Sequence, residues 1–371
     1  MKQFCVKPTI TMVDSAKEFC NKFQIGKNDL VFVSERTYKS FFQGYTGEAA
    51  IVHYRKYGNG EPTDLMVEGI YQDIKDIDYK RVIAIGGGTI LDVAKLFALK
   101  NISPVVELYD RKLEIEKTKK LVLVPTTCGT GSEVTNISIL ELVTKNTKMG
   151  LAVDELYADD AVLIPELLES LPMSAFATSS IDALIHSIES YTSPKANEFT
   201  QMFSVKAMKM ILKSYIAIVK EGADSRKKYI KDMLLASTYA GIAFGNAGCA
   251  AVHAMSYPLG AKYHVPHGEA NYAMFTGVYQ AYMELKPEGD IVKLNHILAD
   301  ILECDVSDVY YELEALLNHI IQRKSLHQYG MTEKDIEEFT DIVMKKQGRL
   351  MANNYVDLSD EKVSEIYQKL F

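Results

Sequence analysis

The chain has 371 residues, which is more than one hydrophobic core usually holds, so two domains are expected. Its composition, 47% hydrophobic and 24% charged, is typical of globular proteins, and a net charge of −8 with no basic stripe argues against a nucleic-acid partner. The five scattered cysteines argue against a disulfide scaffold and a zinc finger. No long apolar segment suggests a membrane span, and no signal-peptide pattern is visible. We therefore expect a cytoplasmic protein.

The first half of the chain alternates strand-like and helix-like segments. Apolar runs at 30–34, 49–54, 81–86 and 121–125 predict strands, and helical spacing at 37–43, 63–76 and 89–100 predicts helices between them. Such an alternation forms a parallel sheet, and continuous apolar runs are typical of strands that are buried on both faces. We therefore expect a Rossmann-like α/β domain for dinucleotide binding over residues 1–175.

The second half contains long helical periods and almost no strand signal. Segments 179–191, 201–220 and 226–244 all repeat apolar residues at helical spacing. An all-helical domain that binds the metal and carries the catalytic groups is expected over residues 176–371. Because no long linker separates the halves, we expect them to pack together, with a cleft of the kind in which ligands bind.

Two loops of small residues follow predicted strands. Gly86 to Gly88 open a helix whose free N–H groups suit a pyrophosphate, although the GxGxxG fingerprint is absent and a plain turn is the alternative. The second loop, PTTCGTGSEVT at 125–135, offers the hydroxyl groups of Thr126, Thr127, Thr130 and Ser132. If the two strands are neighbours, both loops face one crevice, which predicts a dinucleotide site.

Glu35, just after the predicted strand at 30–34, is a third candidate element of the cofactor site. A carboxylate at this place accepts hydrogen bonds from a ribose diol and repels a 2′-phosphate, so it favours NAD over NADP. A surface ion pair with Arg36 or a nearby lysine is the alternative interpretation.

Asp182 and His186 lie one helical turn apart in the segment SSIDALIHSIESY. At this spacing both side chains are on the same face of a helix and can reach one ion, with Glu189 on that face as a supporting partner. When such a pair occurs alone, a structural or solvated pair is the alternative.

Three histidines crowd into residues 253–268 and favour a metal site. His253 lies in an alanine-rich segment that is predicted to be helical up to Pro258, and His264 and His267 are expected in the loop beyond it. Imidazoles in apolar surroundings need partners, and three nitrogens with one carboxylate oxygen suit Fe²⁺ or Zn²⁺. Between the two loop histidines, the Pro–His–Gly setting favours His267 as a ligand.

Taken together, the motifs resemble the iron-containing (group III) alcohol dehydrogenase family over nearly the whole chain. They are GGGT-x-x-D-x-AK, PTT-x-GTGSE, DAL-x-H-x-IE-x-Y, and H-x-M-x-x-P-LG followed by PHG-x-x-N. CGTGSEVTN and SYPLGAKYHVPHGEANY are most similar to the branch of the family that acts on 4-hydroxybutyrate. The resemblance implies a dehydroquinate synthase-like fold, NAD, a divalent metal (iron or zinc) and a homodimer.

The resemblance also implies roles for individual residues. It places the metal on Asp182, His186, His253 and His267. It places the cofactor on Glu35, Gly86, Gly87, Gly88, Thr89, Asp92, Thr126, Thr127, Thr130 and Ser132. Many relatives carry a further histidine, associated with proton relay near the nicotinamide, where this chain has Tyr257. Tyr257, His264 or a chain of waters is therefore expected to take that role.

The expected reaction interconverts 4-hydroxybutyrate and succinate semialdehyde with NAD(H), and the metal polarises the alcohol or carbonyl oxygen. The substrate carboxylate requires a cationic side chain, for which Lys148 and Arg349 are candidates. The alternatives are a short-chain primary alcohol or diol dehydrogenase, a metal-dependent lyase of the dehydroquinate synthase type, and a non-catalytic helical binding protein.

Overall fold

The residues from Val6 to Leu171 form one of two units into which contacts divide the chain. The other unit is Pro172–Phe371, to which residues 3–5 also belong. The computed structural model describes residues 3–58, 60–145 and 147–371. The domain limits expected from the sequence, 1–175 and 176–371, stay a prediction, because contacts alone do not show which segments fold independently.

The first unit contains a parallel sheet. The strands of this unit are β1 (Thr9–Met12), β2 (Asp29–Val33), β3 (Ala50–His53), β4 (Arg81–Gly86), β5 (Lys120–Pro125), β6 (Ile137–Leu142), β7 (Thr147–Ala152) and β8 (Asp160–Leu163). Six of them form one sheet in the order β1-β8-β5-β4-β2-β3, in which every neighbouring pair is parallel. The remaining two, β6 and β7, form a separate antiparallel pair that we did not predict.

Burial explains why β2, β4 and β5 could be found from the sequence. Every residue of β2 is buried, and so is every residue of β4 and β5 after the first, so these strands carry the continuous apolar runs from which they were predicted. In contrast, β1 is partly exposed along its whole length at one edge of the sheet, and its TITM sequence has no such run. The helices of this unit are α1 (Ala16–Phe23), α2 (Glu35–Thr37), α3 (Asp64–Ile74), α4 (Gly88–Leu96) and α5 (Val105–Tyr109).

Among its described residues, the second unit contains helices and connecting loops but no strand. Its helices are α6 (Met173–Thr192), α7 (Glu198–Glu221), α8 (Ile230–Ala247), α9 (Ala251–Tyr263), α10 (His267–Leu285), α11 (Asp290–Leu302), α12 (Val309–Ile320), α13 (Glu333–Lys346), α14 (Gly348–Met351) and α15 (Asp360–Leu370). Every residue from Ser180 to Thr192 is buried, so α6 is the central helix of the unit. The expected combination of an α/β part and an all-helical part is confirmed. In the part of the chain that the structure describes, no helix is long and apolar enough to cross a membrane.

The segment around Pro258 differs from the prediction. Helix α9 continues through Pro258 to Tyr263, and His264 ends it in the left-handed conformation with φ 54°. Proline usually interrupts a helix because it lacks a backbone N–H, but here nearly the whole first two turns and Pro258 itself are buried, so packing outweighs the missing hydrogen bond. The prediction that His267 lies in a loop was also wrong, because His267 is the first residue of α10.

Candidate functional site

Three helices bring Asp182, His253 and His267 to one place. Asp182 lies in the middle of α6, His253 lies in the first turn of α9, and His267 begins α10. One ligand atom from each residue lies within 4.8 Å of the other two. The Oδ1 atom of Asp182 is 3.5 Å from Nε2 of His253 and 3.6 Å from Nε2 of His267. These distances join three of the four predicted metal ligands.

His186, the fourth predicted ligand, lies beside this group. Its Nε2 atom is 3.8 Å from Oδ1 of Asp182, one helical turn earlier. Its ring stacks on His253, with centroids 4.7 Å apart, and on Phe244 of α8, with centroids 4.1 Å apart. A ring nitrogen of His186 and one of His253 also lie within 4.8 Å of the sulfur of Cys249. The His186 side chain therefore has both a carboxylate and a sulfur atom as neighbours.

The side-chain amide of Asn271 marks the point on which three of the donors converge. Its Nδ2 atom donates to Oδ1 of Asp182 at 2.8 Å and lies 3.1 Å from Nε2 of His253 and 3.2 Å from Nε2 of His267. Its Oδ1 atom accepts a hydrogen bond of 2.5 Å from the Ser256 hydroxyl. Asn271 was not among the predicted site residues, although it lies four residues after His267 and on the same face of α10.

Glu189 fixes the orientation of His253 by contacting Nδ1, the ring nitrogen that faces away from Asp182. Its side chain is completely buried, one oxygen accepts the Val252 N–H at 2.7 Å, and the other is 2.5 Å from Nδ1 of His253. Because an ionised carboxylate only accepts hydrogen bonds, Nδ1 of His253 carries a proton, and Nε2 is the nitrogen that faces Asp182. A carboxylate that holds a histidine in this way is a common feature of metal sites. The expected supporting role of Glu189 therefore has a geometric basis.

The electrostatics of the group depend on burial and on close opposite charges. Burial opposes ionisation of Asp182, but His186, His267 and His253 outweigh it and hold the pKa of this carboxyl well below its usual range. Burial also opposes protonation of His253, but the neighbouring Cys249 and Glu189 side chains outweigh it and raise the pKa of this imidazole well above its usual range. Negative charge is thus concentrated around the histidines, which favours a cation.

The donor set fits a divalent metal of the iron or zinc type. One carboxylate oxygen and imidazole nitrogens are ligands that both ions accept, and the Nδ1–H of His253 is already oriented by Glu189. The side chains of Asp182, His186 and His253 are only 3–6% exposed, whereas that of His267 is 31% exposed. The His267 side is therefore the side from which a substrate oxygen can approach.

The two residues expected to relay protons occupy different surroundings. Tyr257 is half-buried on α9, and its ring centroid lies 5.8 Å from that of His267. His264 is exposed at the end of the same helix and belongs to neither group of metal-binding donors. Geometry therefore favours Tyr257 over His264 as the residue near the reacting atoms, and both roles stay predictions.

In the α/β unit, the two small-residue loops pack directly against each other. Their strands β4 and β5 are neighbours, with Gly86 paired with Pro125, and the Thr126 N–H donates to the Gly86 carbonyl at 2.9 Å. A Cβ atom added to Gly88 would lie 2.6 Å from Cγ2 of Thr130. Glycine therefore allows the first turn of α4 to approach the second loop closely, whereas a Cβ atom added to Gly87 would meet Cγ2 of Thr127 at 3.4 Å. This is the arrangement that the sequence analysis expected if the strands were adjacent.

A buried polar network ties the same loops together. Asp92 accepts hydrogen bonds from the Ser132 hydroxyl at 2.6 Å and from the Ile139 N–H at 3.0 Å. Lys95 is completely buried and donates to the Ser132 hydroxyl at 2.8 Å and to the Ile137 carbonyl at 2.7 Å. Burial lowers the pKa of Lys95 despite the opposing effect of Asp92. Lys95 belongs to a motif of the predicted site, but its role in holding the second loop was not predicted.

The remaining predicted residues have less specific surroundings. Glu35 is exposed and pairs with Lys39 at 2.6 Å, as in the alternative interpretation, so its role with NAD stays a prediction. The Thr89 hydroxyl donates to the Gly60 carbonyl at 3.2 Å. Of the two cations considered for a substrate carboxylate, Lys148 pairs with Glu61 at 3.0 Å, and Arg349 is exposed on α14.

Comparisons with known proteins match both halves of the chain. A model of the iron-containing alcohol dehydrogenases matches residues 7–165, and a model of the C-terminal part of the Fe-containing alcohol dehydrogenase family matches residues 176–371. These two ranges contain all the residues that were predicted to bind the metal and the cofactor.

Individual proteins are similar over most or all of the chain. The chain is 49% identical over 371 residues to 4-hydroxybutyrate dehydrogenase of Clostridium kluyveri, covering 100% of both chains. It is 35% identical over 308 residues to long-chain-alcohol dehydrogenase 1 of Geobacillus thermodenitrificans, covering 80% of this chain and 76% of that protein. The crystal structure of sulfoacetaldehyde reductase from Bifidobacterium kashiwanohense in complex with NAD⁺ has the same fold. Its TM-score is 0.85 and its sequence identity 22%, with coverage of 100% of this chain and 98% of that chain.

Proposed function

Since the chain belongs to the iron-containing alcohol dehydrogenase family, we propose that it is an NAD-dependent dehydrogenase that interconverts 4-hydroxybutyrate and succinate semialdehyde. The observation that carries this proposal is the 49% identity to the Clostridium kluyveri enzyme over all of both chains. The match covers every part of the relative's chain, so each of its segments has a counterpart in this chain. The family match also favours redox chemistry over the lyase and the non-catalytic alternatives.

In this proposal Asp182, His186, His253 and His267 hold a divalent metal, and Fe²⁺ is the ion that the family name indicates. When bound, the ion supplies Lewis acidity toward the substrate oxygen, and NAD supplies the hydride acceptor. Glu189 keeps the proton on Nδ1 of His253, so that Nε2 is available as a donor. Asn271 keeps the side chains of Asp182, His253 and His267 directed at one point.

Proton transfer to or from the substrate hydroxyl is assigned to Tyr257. Its ring lies beside His267, the most exposed member of the proposed ligand set, so its phenol is on the side from which the substrate approaches. His264 is the second candidate, and it requires a longer path through water because it is exposed at the helix end. A tyrosine can donate and accept a proton, as general acid–base catalysis requires.

Nucleotide binding is assigned to the α/β unit. The first turn of α4, with Gly86, Gly87, Gly88 and Thr89, offers backbone N–H groups to the pyrophosphate, and the dipole of this helix favours the negative charge. Thr126, Thr127 and Thr130 supply hydroxyl groups from the second loop, which Asp92, Lys95 and Ser132 hold in position. Glu35 is proposed to accept a hydrogen bond from the ribose once its contact with Lys39 is exchanged.

A homodimer and a cytoplasmic location also remain proposals. Light scattering after size-exclusion chromatography measures the first, and a mass of twice 41.6 kDa is expected. A mass of one chain would contradict it.

Substrate choice is tested with a pair of aldehydes of equal chain length. The purified chain is loaded with Fe²⁺ or Zn²⁺ without oxygen, and kcat/KM is measured for succinate semialdehyde and for butyraldehyde. We expect the first value to be at least about tenfold higher, equivalent to about 1.4 kcal/mol, because only succinate semialdehyde has a carboxylate to bind. Equal values, or a preference for butyraldehyde, would support the short-chain alcohol dehydrogenase instead.

The metal assignment is tested by His267→Ala. This variant should lose bound metal and activity together, whereas His296→Ala, at an exposed position of α11, should keep both. Full turnover by a preparation that contains no metal would refute the proposed ligand set.

A further inference from the structure

The proposed ligand set leaves the thiol of Cys249 unused, although this side chain lies next to it. Cys249 is 6% exposed and is not part of a disulfide, and its sulfur lies within 4.8 Å of a ring nitrogen of His186 and of His253. The backbone of this short segment is held in place, because the Cys249 carbonyl accepts a hydrogen bond of 3.1 Å from Asn353. The position of the sulfur is therefore defined by the fold.

His186 provides a second indication of a ligand. Its Nδ1 atom is buried and has no hydrogen-bond partner among the described residues, and the whole side chain is about as buried as Asp182. Buried ring nitrogens normally have a partner, and one without a partner calls for an ion, a water or another group. The opposite nitrogen, Nε2, is the one near Asp182. One ring therefore has a nitrogen near the carboxylate and a second, buried nitrogen without a hydrogen-bond partner among the described residues.

We propose that His186, Cys249 and His253 form a sulfur-containing site for thiophilic divalent cations such as Zn²⁺, Cd²⁺ and Co²⁺. This site overlaps the proposed iron site, with which it shares two histidines, and to that extent it rests on the proposed function. Soft thiolate ligands select such ions more strongly than carboxylate oxygen does. Binding is an exchange, in which the S–H proton of Cys249 passes to solvent as the sulfur–metal bond forms.

The distances require only small movements. A metal bonded at about 2.3 Å to sulfur and about 2.1 Å to nitrogen, in tetrahedral geometry, separates these ligand atoms by about 3.6 Å. The three donors already lie within 4.8 Å of one another, so rotations of the side chains by an ångström or so complete the set. Asp182 lies 3.8 Å from Nε2 of His186 and 3.5 Å from Nε2 of His253, on the side of the proposed iron site.

Cobalt spectroscopy distinguishes sulfur ligation from nitrogen and oxygen ligation. The full chain is freed of metal with a chelator and titrated with Co²⁺ without oxygen. We expect an intense near-ultraviolet band from charge transfer between thiolate and cobalt, in addition to the weaker visible d–d bands. Cys249→Ser and Cys249→Ala should lose the charge-transfer band and keep the d–d bands. Cys304→Ser, a change at a half-buried cysteine elsewhere in the helical unit, should keep both.

A measurement on the unaltered protein covers the case in which both Cys249 variants fail to fold. The ¹¹³Cd resonance of the cadmium-loaded chain should lie far downfield, as thiolate ligation requires. Cobalt binding with d–d bands alone, or a charge-transfer band that persists in the Cys249 variants, would overturn the sulfur site and leave the iron site standing. A chain that binds neither cobalt nor cadmium would overturn both.

Discussion

Glu189 controls which nitrogen of His253 faces Asp182. Both of its oxygens are occupied, one by a backbone N–H and one by the imidazole, and no water competes for them because the side chain is completely buried. A metal ligand needs a lone pair in a defined direction, and a free imidazole would divide its population between two tautomers. The residue therefore acts on the proposed metal without being a ligand itself.

Glu189→Gln tests this role. An amide has one acceptor oxygen in place of two, so either Val252 or His253 is left with a buried donor that nothing accepts. We expect the affinity for Fe²⁺ or Zn²⁺ to fall by about 10–100-fold, measured by competition with a chromophoric chelator. Glu312→Gln, at an exposed position of α12, is the matched control and should leave the affinity unchanged. Unchanged affinity in Glu189→Gln would show that His253 does not depend on this carboxylate.

At the scale of the helices, the proposed metal site depends on how closely α10 approaches α6. Gly268, the second residue of α10, lies against the α6 backbone, and a Cβ atom there would be 1.8 Å from the Thr178 carbonyl oxygen and 3.2 Å from Cβ of Asp182. Since Gly268 follows His267 directly, the same close packing determines the separation of His267 from Asp182. Any side chain at this position must move the first turn of α10 away.

Gly268→Ala should therefore disturb stability and metal binding together. We expect a loss of at least about 2 kcal/mol in the free energy of unfolding, measured with urea, because backbone atoms of α6 cannot give way as side chains do. Metal content after loading should fall as well. Gly260→Ala is the control on α9, where an added Cβ would meet the nearest atom at an ordinary 3.5 Å. If Gly268→Ala keeps both stability and metal, the close contact is not what positions His267.

At the scale of the whole molecule, the two proposed binding sites belong to different units. The metal ligands all lie in Pro172–Phe371, and the predicted cofactor residues all lie in Val6–Leu171. Each unit has its own buried core, so each ligand should first stabilise the unit that binds it.

Hydrogen exchange measured by mass spectrometry tests this division. At a hundredfold excess over its dissociation constant, a ligand contributes about 2.7 kcal/mol, which slows exchange through unfolding of its unit by about a hundredfold. Metal should protect α6, α9 and the first turns of α10, and NAD should protect α4 and residues 126–135. In His267→Ala the protection by metal should vanish and that by NAD should persist. Protection by NAD confined to the helical unit would contradict the assignment of the nucleotide loops.

Residues whose type and spacing carry the chemistry could be found from the sequence. Asp182 and His186 at one-turn spacing, the histidines after residue 250 and the small-residue loops were recognisable, and the family resemblance drawn from them is confirmed by the full-length identity. The buried strands β2, β4 and β5 were predictable because burial on both faces requires a continuous apolar run. Local pattern and residue chemistry thus determined the fold class, the family and the candidate donors.

Only the tertiary structure decided which of those donors meet and what surrounds them. Nothing in the local pattern places Asn271 between three ligands, Cys249 beside His186, or Lys95 beneath the second loop, because each contact joins segments that are far apart in the chain or depends on a buried environment. The continuation of α9 through Pro258 has the same cause, since packing there outweighs a local helix-breaking preference. Residue types determine which chemistry is available, whereas the distances between side chains follow from how the helices and strands pack.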